Sequence, residues 1–132
     1  MTTSLVRAVV GIAGFLILDG MWLGLLMTRF YRDQLGPMAR LAGDTFAPNW
    51  PAAAIVYLLL GSGVALFVAP RAADAASAAR WGALFGFVVY GVYDFNNYST
   101  LRQWPLALAL VDTAWGTMAS AACAVVVRAV AR

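Results

Sequence analysis

Histidine, lysine and glutamate are absent from this 132-residue sequence, and cysteine occurs once, at Cys123. Without histidine the chain has no Ser-His-Asp triad, no histidine metal ligand and no histidine proton switch. A single cysteine excludes an intrachain disulfide. The nine basic residues are all arginines, and they do not form the clustered basic face that nucleic acids require. We therefore expect no nucleic-acid partner, and any chemistry must rest on aspartate, tyrosine, arginine, serine and threonine.

Charged residues are also scarce, because they make up 11% of the chain against 63% hydrophobic residues, and the mean hydropathy is +0.78. Soluble domains contain about 45–50% apolar residues, so this composition predicts a protein that is embedded in the lipid bilayer. A helical crossing needs about 20 apolar residues, and four crossings with short connections use nearly the whole chain. The sequence predicts one domain over residues 1–132, an all-α integral membrane protein built as a four-helix antiparallel bundle.

Long apolar runs bounded by arginine, proline and tryptophan mark the membrane helices. Pro51 and Pro105, each preceded by tryptophan, are typical of helix starts at a membrane surface. The predicted spans are about 5–28, 52–69, 80–95 and 104–127. Between the first two spans, Gly36-Pro37 interrupts a mixed stretch with near-helical spacing, which predicts a short interfacial helix. Connections between the later spans are expected at residues 72–79 and 96–103.

The distribution of arginines indicates an orientation. Five arginines lie at the termini and around the second connection, against four on the opposite side of the bundle, and the amino terminus adds one positive charge. The five are Arg7, Arg71, Arg80, Arg128 and Arg132. Because cytoplasmic loops carry more arginine, this count favours cytoplasmic termini.

Three aspartates fall inside or at the edge of predicted helices, where an ionised carboxylate costs about 2.5–3.5 kcal/mol on insertion scales. At 1.5 Å per residue, Asp19 lies about 13 Å from the end of the first helix, and Asp112 lies about 12 Å from the start of the fourth. Tyr57 and Asp94 fall in the same half of the membrane, opposite the termini. Because buried polar groups need partners or water, these depths predict one polar pocket.

The predicted pocket combines acids with aromatic side chains. Trp22 and Trp115 each follow an aspartate by three residues, which places the acid and the indole on one helix face. We predict the binding-site residues to be Asp19, Trp22, Tyr57, Tyr90, Asp94, Asn97, Asp112 and Trp115. These groups either bond to one another and hold the bundle together, or they bind a cation, relay protons or supply an acid and a base.

Glycines and flanking residues suggest how the helices pack and meet the lipid. Gly82-x-x-x-Gly86 and Gly20-x-x-x-Gly24 have the spacing that lets membrane helices approach closely. Packing inside a monomer is the preferred interpretation, and dimerisation is the alternative. Trp50 and Trp104 are expected to be interfacial anchors. The arginines of the first connection are expected to contact lipid headgroups, including those of anionic lipids. These arginines are Arg29, Arg32 and Arg40.

Many of these residues form an ordered pattern along nearly the whole chain. The pattern consists of Asp19-x-x-Trp22-Leu23-Gly24, Tyr31, Asn49-Trp50-Pro51, Tyr57, Gly86 to Tyr90, Tyr93-Asp94-x-x-Asn97, Trp104-Pro105 and Asp112-x-x-Trp115-Gly116. It resembles a family of small bacterial predicted membrane proteins known as domain of unknown function 2177. That resemblance implies a four-helix protein of the bacterial inner membrane with the aspartates and tryptophans as its signature, and it implies no activity, cofactor or substrate. Asn96 stands where the family has threonine, a polar exchange that leaves the pocket hypothesis intact.

Three interpretations of function remain open. In the first, the pocket belongs to a binding or transport module that accepts a proton, a cationic group or a polar lipid head, and the chain works as a homodimer. In the second, the chain is a lipid-modifying enzyme or enzyme subunit, with aspartates as acid and base and arginines holding a phosphate. In the third, the glycine faces dock another membrane protein. The sequence has no cofactor motif and no complete metal-ligand set, so neither a cofactor nor a metal is predicted.

Overall fold

Helices account for most of the computed structural model, which describes residues 2–132. In chain order they are α1 (Thr3–Met21), α2 (Thr28–Leu35), α3 (Trp50–Gly63), α4 (Ala75–Thr100) and α5 (Leu106–Val130). A π-helical turn, Trp22–Leu26, extends α1, and another, Val64–Val68, extends α3 before a 3-10 turn. Within the described residues, four helices are long and apolar enough to cross a membrane. The predicted four-helix membrane fold is therefore confirmed.

The connection between α1 and α3 contains the short helix that the sequence predicts. α2 ends at Leu35, and Gly36 follows with a φ of 55°, a left-handed conformation that glycine adopts without strain. A 3-10 turn and a small hairpin complete the connection, in which β1 (Leu41–Ala42) pairs antiparallel with β2 (Thr45–Phe46). Gly43 makes the hairpin turn with a φ of 63°. The position of α2 matters for the site, because this helix contacts α5.

Local capping groups explain where the membrane helices begin. The side chain of Asn49 accepts a hydrogen bond from the backbone N–H of Ala52, and Pro51 lies in the first turn of α3. Asp74 and Ser77 form a reciprocal capping box at the start of α4. Such caps satisfy N–H groups that have no partner within the helix, which matters most where the chain enters lipid.

α4 is longer at both ends than the sequence predicts. The expected connection at 72–79 is wrong in its second half, because the capping box starts the helix at Ala75. The expected connection at 96–103 is wrong in its first half, because α4 continues to Thr100. Polar residues end the apolar run there, but a helix that leaves the hydrocarbon core can continue into the headgroup region. The hydroxyls of Ser99 and Thr100 also bond to the carbonyl oxygen of Asn96.

Glycines allow the helices to pack as two close pairs. α4 and α5 form the largest interhelical contact, and a Cβ atom at Gly82 or Gly86 would overlap with atoms of α5. α1 and α3 likewise meet where Gly11 faces Gly61. Gly20 and Gly24 have nothing within 4 Å of the position of a Cβ atom. The preferred interpretation of both glycine spacings is packing within one chain. For Gly20 and Gly24 this prediction is wrong.

Most large apolar side chains point outward, as expected of a protein surrounded by lipid. Leu25 is 78% exposed and Val92 is 68% exposed, whereas Phe15 and Val64 in the centre of the bundle are fully buried. The two ends of the chain meet on one side, where the guanidinium of Arg7 donates a hydrogen bond of 3.0 Å to the carbonyl of Ala131. The opposite side of the bundle carries α2 and the hairpin, and the polar residues in the membrane lie towards that side.

Candidate functional site

Four polar side chains lie at one level of the bundle, near its α2 side. Asp19 precedes the end of the first membrane helix by seven residues, and Tyr57 follows the start of α3 by seven. Asp94 precedes the end of α4 by six residues, and Asp112 follows the start of α5 by six. At 1.5 Å per residue, all four lie about 9–11 Å from the helix ends on that side. Equal depth on four helices places these side chains in one layer of the bundle.

Asp19 is held by two neutral donors from other helices. The hydroxyl of Tyr57 donates to Oδ2 at 3.0 Å, and the indole Nε1 of Trp115 donates to Oδ1 at 2.8 Å. The carboxyl group is 8% exposed. It therefore links α1 to both α3 and α5, and each of its oxygen atoms has one hydrogen bond from an uncharged group.

Asp112 is bonded to the connection instead of to another membrane helix. The hydroxyl of Tyr31, on α2, donates to Oδ1 of Asp112 at 2.8 Å and accepts from the indole Nε1 of Trp22 at 2.9 Å. Burial, followed by the charge of Asp112, raises the pKa of Tyr31 above its usual range, so the hydroxyl stays protonated and remains a donor. Tyr31 thus bridges α1 and α5 from outside the four-helix bundle.

The two tryptophans join these hydrogen-bonded groups. The rings of Trp22 and Trp115 stack in parallel, with centroids 4.3 Å apart and planes 2° apart. Trp22 begins the π-helical turn at the end of α1, where the N–H of Met27 bonds to its carbonyl oxygen at 2.7 Å. A π turn rotates the side chains that follow relative to a regular α-helix, and such turns are frequent at functional sites.

Asp94 differs from the other two aspartates because it has no hydrogen-bond partner. It is fully buried, and neither carboxyl oxygen forms a hydrogen bond of normal geometry within the described chain. It lies beside Asp112 and Thr113 of α5. The hydroxyl of Thr113, which is 6% exposed, also has no partner among residues 2–132. A buried carboxyl group without a partner is costly unless it holds a proton or another ligand.

Within residues 2–132, no arginine forms an ion pair with an aspartate of this cluster. In the part of the chain that the structure describes, both ion pairs lie in the connection, where Arg29 faces Asp33 at 3.9 Å and Arg32 faces Asp44 at 3.2 Å. Neither pair includes a membrane aspartate. Residues 2–132 also contain no group of three or more His, Cys, Asp or Glu side chains that could hold a metal ion.

An apolar groove on the surface of the bundle has one residue of the cluster, Tyr57, in its lining. It has a volume of about 380 Å³ and lies between α1 and α3. Its lining residues are Ile12, Leu16, Trp50, Ala53, Ala54, Tyr57 and Leu58. Tyr57 lines the groove with its ring and bonds to Asp19 with its hydroxyl. An apolar molecule in this groove would therefore lie one side chain away from a membrane carboxyl group.

The predicted site residues differ in whether they take part in the hydrogen-bonded groups of the cluster. Asp19, Trp22, Tyr57, Asp112 and Trp115 belong to the hydrogen-bonded groups described above. The ring of Tyr90 lies directly over Gly116 and so forms a wall of the cluster. Asn97 lies one turn beyond Asp94, next to Tyr93, and forms no hydrogen bond to the three aspartates within residues 2–132.

The connection contains Tyr31, whose bond to Asp112 the sequence does not predict. It also contains three arginines that are predicted to contact lipid headgroups. The sequence places Tyr31 in the interfacial helix and in the ordered family pattern, but neither feature indicates a bond to Asp112. Arg29 and Arg32 form ion pairs with aspartates of the connection, whereas Arg40 is exposed. Their proposed contact with anionic lipid stays a prediction.

Comparison with known proteins gives one match. The family model described as Predicted membrane protein (DUF2177) matches residues 4–129. No curated protein and no solved structure matches the chain. The match covers all four membrane helices and every residue of the cluster.

Proposed function

Because the chain belongs to the family of predicted membrane proteins called domain of unknown function 2177, whose description states no activity, we propose a function from the geometry of its own residues. The protein is a binding or transport module of the membrane. Its cluster of aspartates and aromatic residues accepts a positively charged group. The ligand class is an organic cation with an apolar body, either a free amphiphile or the amine of a lipid headgroup.

The observation that carries this proposal is the charge of the cluster. Three carboxyl groups, those of Asp19, Asp94 and Asp112, lie at one level of the membrane. Asp19 and Asp112 accept hydrogen bonds from neutral donors, and Asp94 accepts none of normal geometry within the described residues. Aspartates within membrane helices usually pair with a basic residue or face a polar pathway, because an isolated carboxylate is costly in hydrocarbon. A ligand cation would supply the missing positive charge.

The surroundings of Asp19 suit an apolar cation. The groove between α1 and α3 offers apolar contact along the lipid-facing side, and it ends at Tyr57. The aromatic rings of Tyr57 and Tyr90 can attract a cation through their faces, an interaction that gains strength away from water. We therefore expect the apolar body to occupy the groove and the charge to lie near Asp19.

Two probe ions of the same shape and opposite charge test the proposal. Tetraphenylphosphonium and tetraphenylborate are both apolar, so a difference between them reports the charge of the site. In thermal unfolding of the purified protein, we expect tetraphenylphosphonium to raise the melting temperature of the wild type and tetraphenylborate to have no such effect. Mass action requires a ligand that binds the folded state to stabilise it.

Matched aspartate variants complete this experiment. Asp19→Asn keeps the size and one of the two hydrogen-bond acceptors, and its amide group can donate to the Tyr57 hydroxyl instead of accepting from it. It should lose the response to tetraphenylphosphonium. Asp33→Asn, at an exposed position on α2, should keep the full response. An equal response of Asp19→Asn and wild type, or an equal response to the two probe ions, would reject the proposed site.

Location and orientation are part of the same proposal. The arginine count supports cytoplasmic termini in the bacterial inner membrane, which would place the cluster in the outer half of that membrane. The amine group of the ligand would then approach from the outer leaflet or from outside the cell.

A further inference from the structure

Asp94 and Asp112 place two carboxyl groups side by side at the contact between α4 and α5. Asp94 is fully buried and uses neither oxygen atom in a hydrogen bond of normal geometry. Asp112 uses Oδ1 to accept from Tyr31. Two ionised carboxylates in this position would repel each other with little water to screen them. A proton or another cation between the two carboxyl groups would remove this repulsion.

A third side chain with an oxygen atom, Thr113, lies beside these carboxyl groups. The hydroxyl of Thr113 lies next to Asp94, is shielded from solvent, and has no hydrogen-bond partner among residues 2–132. Buried hydroxyl groups in proteins are nearly always paired. The Thr113 hydroxyl is therefore a neutral oxygen ligand that lies beside Asp94 at the contact between α4 and α5.

The other groups around Asp94 carry no positive charge. Tyr31 faces it from α2, and Tyr93 lies one residue before it on α4. Asp19 of α1 is a further acidic group near Asp112. Tyr57 of α3 and Tyr90 of α4 lie beside Asp19. These surroundings are acidic or neutral on every packed helix. They would attract a small cation and offer no arginine to replace it.

We infer that Asp94, Asp112 and Thr113 form a site for one small monovalent cation, either a proton or a sodium ion, between α4 and α5. A proton would be shared between the two carboxyl groups. A sodium ion would be held by the carboxylate and hydroxyl oxygens, which are the ligands that hard cations prefer.

This inference deepens the proposed function, since it names a small ion that is bound beside the organic cation, and its role as a partner of that ligand rests on the proposed function. The two sites use different residues. The organic cation is assigned to Asp19 and the groove, whereas the small ion is assigned to Asp94 and Thr113. The two proposals can therefore fail separately.

Infrared difference spectroscopy of the purified protein tests the site directly, because a protonated carboxyl group has its own C=O stretching band. In choline chloride, we expect a band in the wild type that disappears as the pH rises and that is lost in Asp94→Asn. Asp33→Asn is the matched control and should keep the band. A wild-type spectrum without a band that depends on Asp94, combined with no effect of sodium on melting temperature, would overturn the inference.

Replacing choline with sodium distinguishes the two ions. If sodium competes with the proton, the midpoint at which the band disappears should fall by about one pH unit for each tenfold rise in saturating sodium, as one-for-one exchange requires. A midpoint that does not depend on sodium identifies the proton alone. Thr113→Val keeps the shape and removes the hydroxyl, so it should weaken the sodium effect at least tenfold and leave the band. A sodium effect that survives unchanged in Thr113→Val would contradict the assigned ligand set.

The same samples separate this inference from the proposed function. Asp19→Asn should keep the band and lose the response to tetraphenylphosphonium, and Asp94→Asn should lose the band. If tetraphenylphosphonium binds through Asp19 but no band depends on Asp94, the small-ion site is wrong and the proposed function stands. If the band is present and tetraphenylphosphonium does not bind, the ion site stands and the proposed ligand is wrong.

Discussion

Tyr31 shows at the scale of one residue how the connection takes part in the site. Its hydroxyl donates to Asp112 and accepts from Trp22, so it joins α5 to α1 from a helix outside the bundle. The side chain is 5% exposed. Its loss would leave one carboxyl oxygen and one indole N–H without a partner, and such loss costs more than the net value of a satisfied hydrogen bond.

We predict that Tyr31→Phe lowers the free energy of unfolding by about 1–3 kcal/mol. The change keeps the ring and removes only the hydroxyl. Urea or SDS titration in detergent would measure the difference. Tyr98→Phe, at a side chain that is 46% exposed, is the matched control and should unfold like the wild type. Equal losses in the two variants would mean that the bridge contributes no stability.

The residue scale also shows how far sequence reasoning reaches into this site. The depth of Asp19, Asp94 and Asp112 could be estimated from helix geometry alone, because a helix advances by a fixed rise per residue. The bonds between them could not. The contact of Tyr31 with Asp112 depends on where α2 lies against the bundle, and the stack of Trp22 on Trp115 depends on how α1 lies against α5. Neither leaves a periodic signal in the sequence.

At the scale of elements, helix ends and helix contacts have separate causes. α4 begins at a capping box and continues beyond the apolar run, so a prediction based on hydropathy placed both of its ends inside the observed helix. The contact between α4 and α5 instead follows from glycine. The i, i+4 spacing of Gly82 and Gly86 was visible in the sequence, but the same spacing at Gly20 and Gly24 has no partner in the chain. Spacing alone does not tell which glycine face is covered.

Gly86→Ala should destabilise the protein by about 1–3 kcal/mol, because the added methyl group overlaps with Gly116 and Ser120 and forces α4 away from α5. Gly24→Ala adds the same methyl group where there is open space, so stability should change by less than about 1 kcal/mol. SDS-induced unfolding of both variants would measure this. If Gly24→Ala proved the more damaging of the two, the exposed face of α1 would have to be covered by another molecule.

The capping box of α4 should make stability depend on pH. Hydrogen bonds from the backbone and side chain of Ser77 lower the pKa of Asp74 below the usual 3.8. Because the folded-state pKa is the lower one, the stabilisation is complete above about pH 3.8 and is lost as the pH falls through the folded-state value. We predict that Asp74→Ala has a lower melting temperature than the wild type at neutral pH and that the difference shrinks below pH 3.8. Melting curves that stay the same distance apart down to the lowest pH would contradict this prediction.

At the scale of the whole molecule, the two chain ends and the aspartate cluster lie towards opposite faces of the membrane. Arg7 and Ala131 bond at one face, and the cluster lies towards the face that carries α2 and the hairpin. Composition and the lengths of the apolar runs were enough to predict four crossings, because the cost of unpaired backbone groups in lipid leaves few alternatives to helices. The open groove between α1 and α3 could not be predicted, since it reflects how these two helices lean against each other.

Cysteine labelling would test this arrangement in the membrane. In a Cys123→Ala background, we expect single cysteines at Ala73 and at Arg132, which are both exposed, to react with an impermeant maleimide from the same side. A cysteine at Asp44 should react from the other side. Intact cells should label only the Asp44 position if the termini are cytoplasmic. Labelling of Ala73 and Asp44 from one side would contradict four crossings with the described helix order.

Calorimetric titration of tetraphenylphosphonium into the wild type and Asp19→Asn tests the central claim, that the aspartate cluster binds positive charge, most directly. Circular dichroism would first establish that both proteins are folded. We predict saturable binding to the wild type and at least tenfold weaker binding to Asp19→Asn. This difference corresponds to a loss of binding free energy of about 1.4 kcal/mol or more. Equal binding by both folded proteins, or none by the wild type, would contradict the assignment of an organic cation to Asp19.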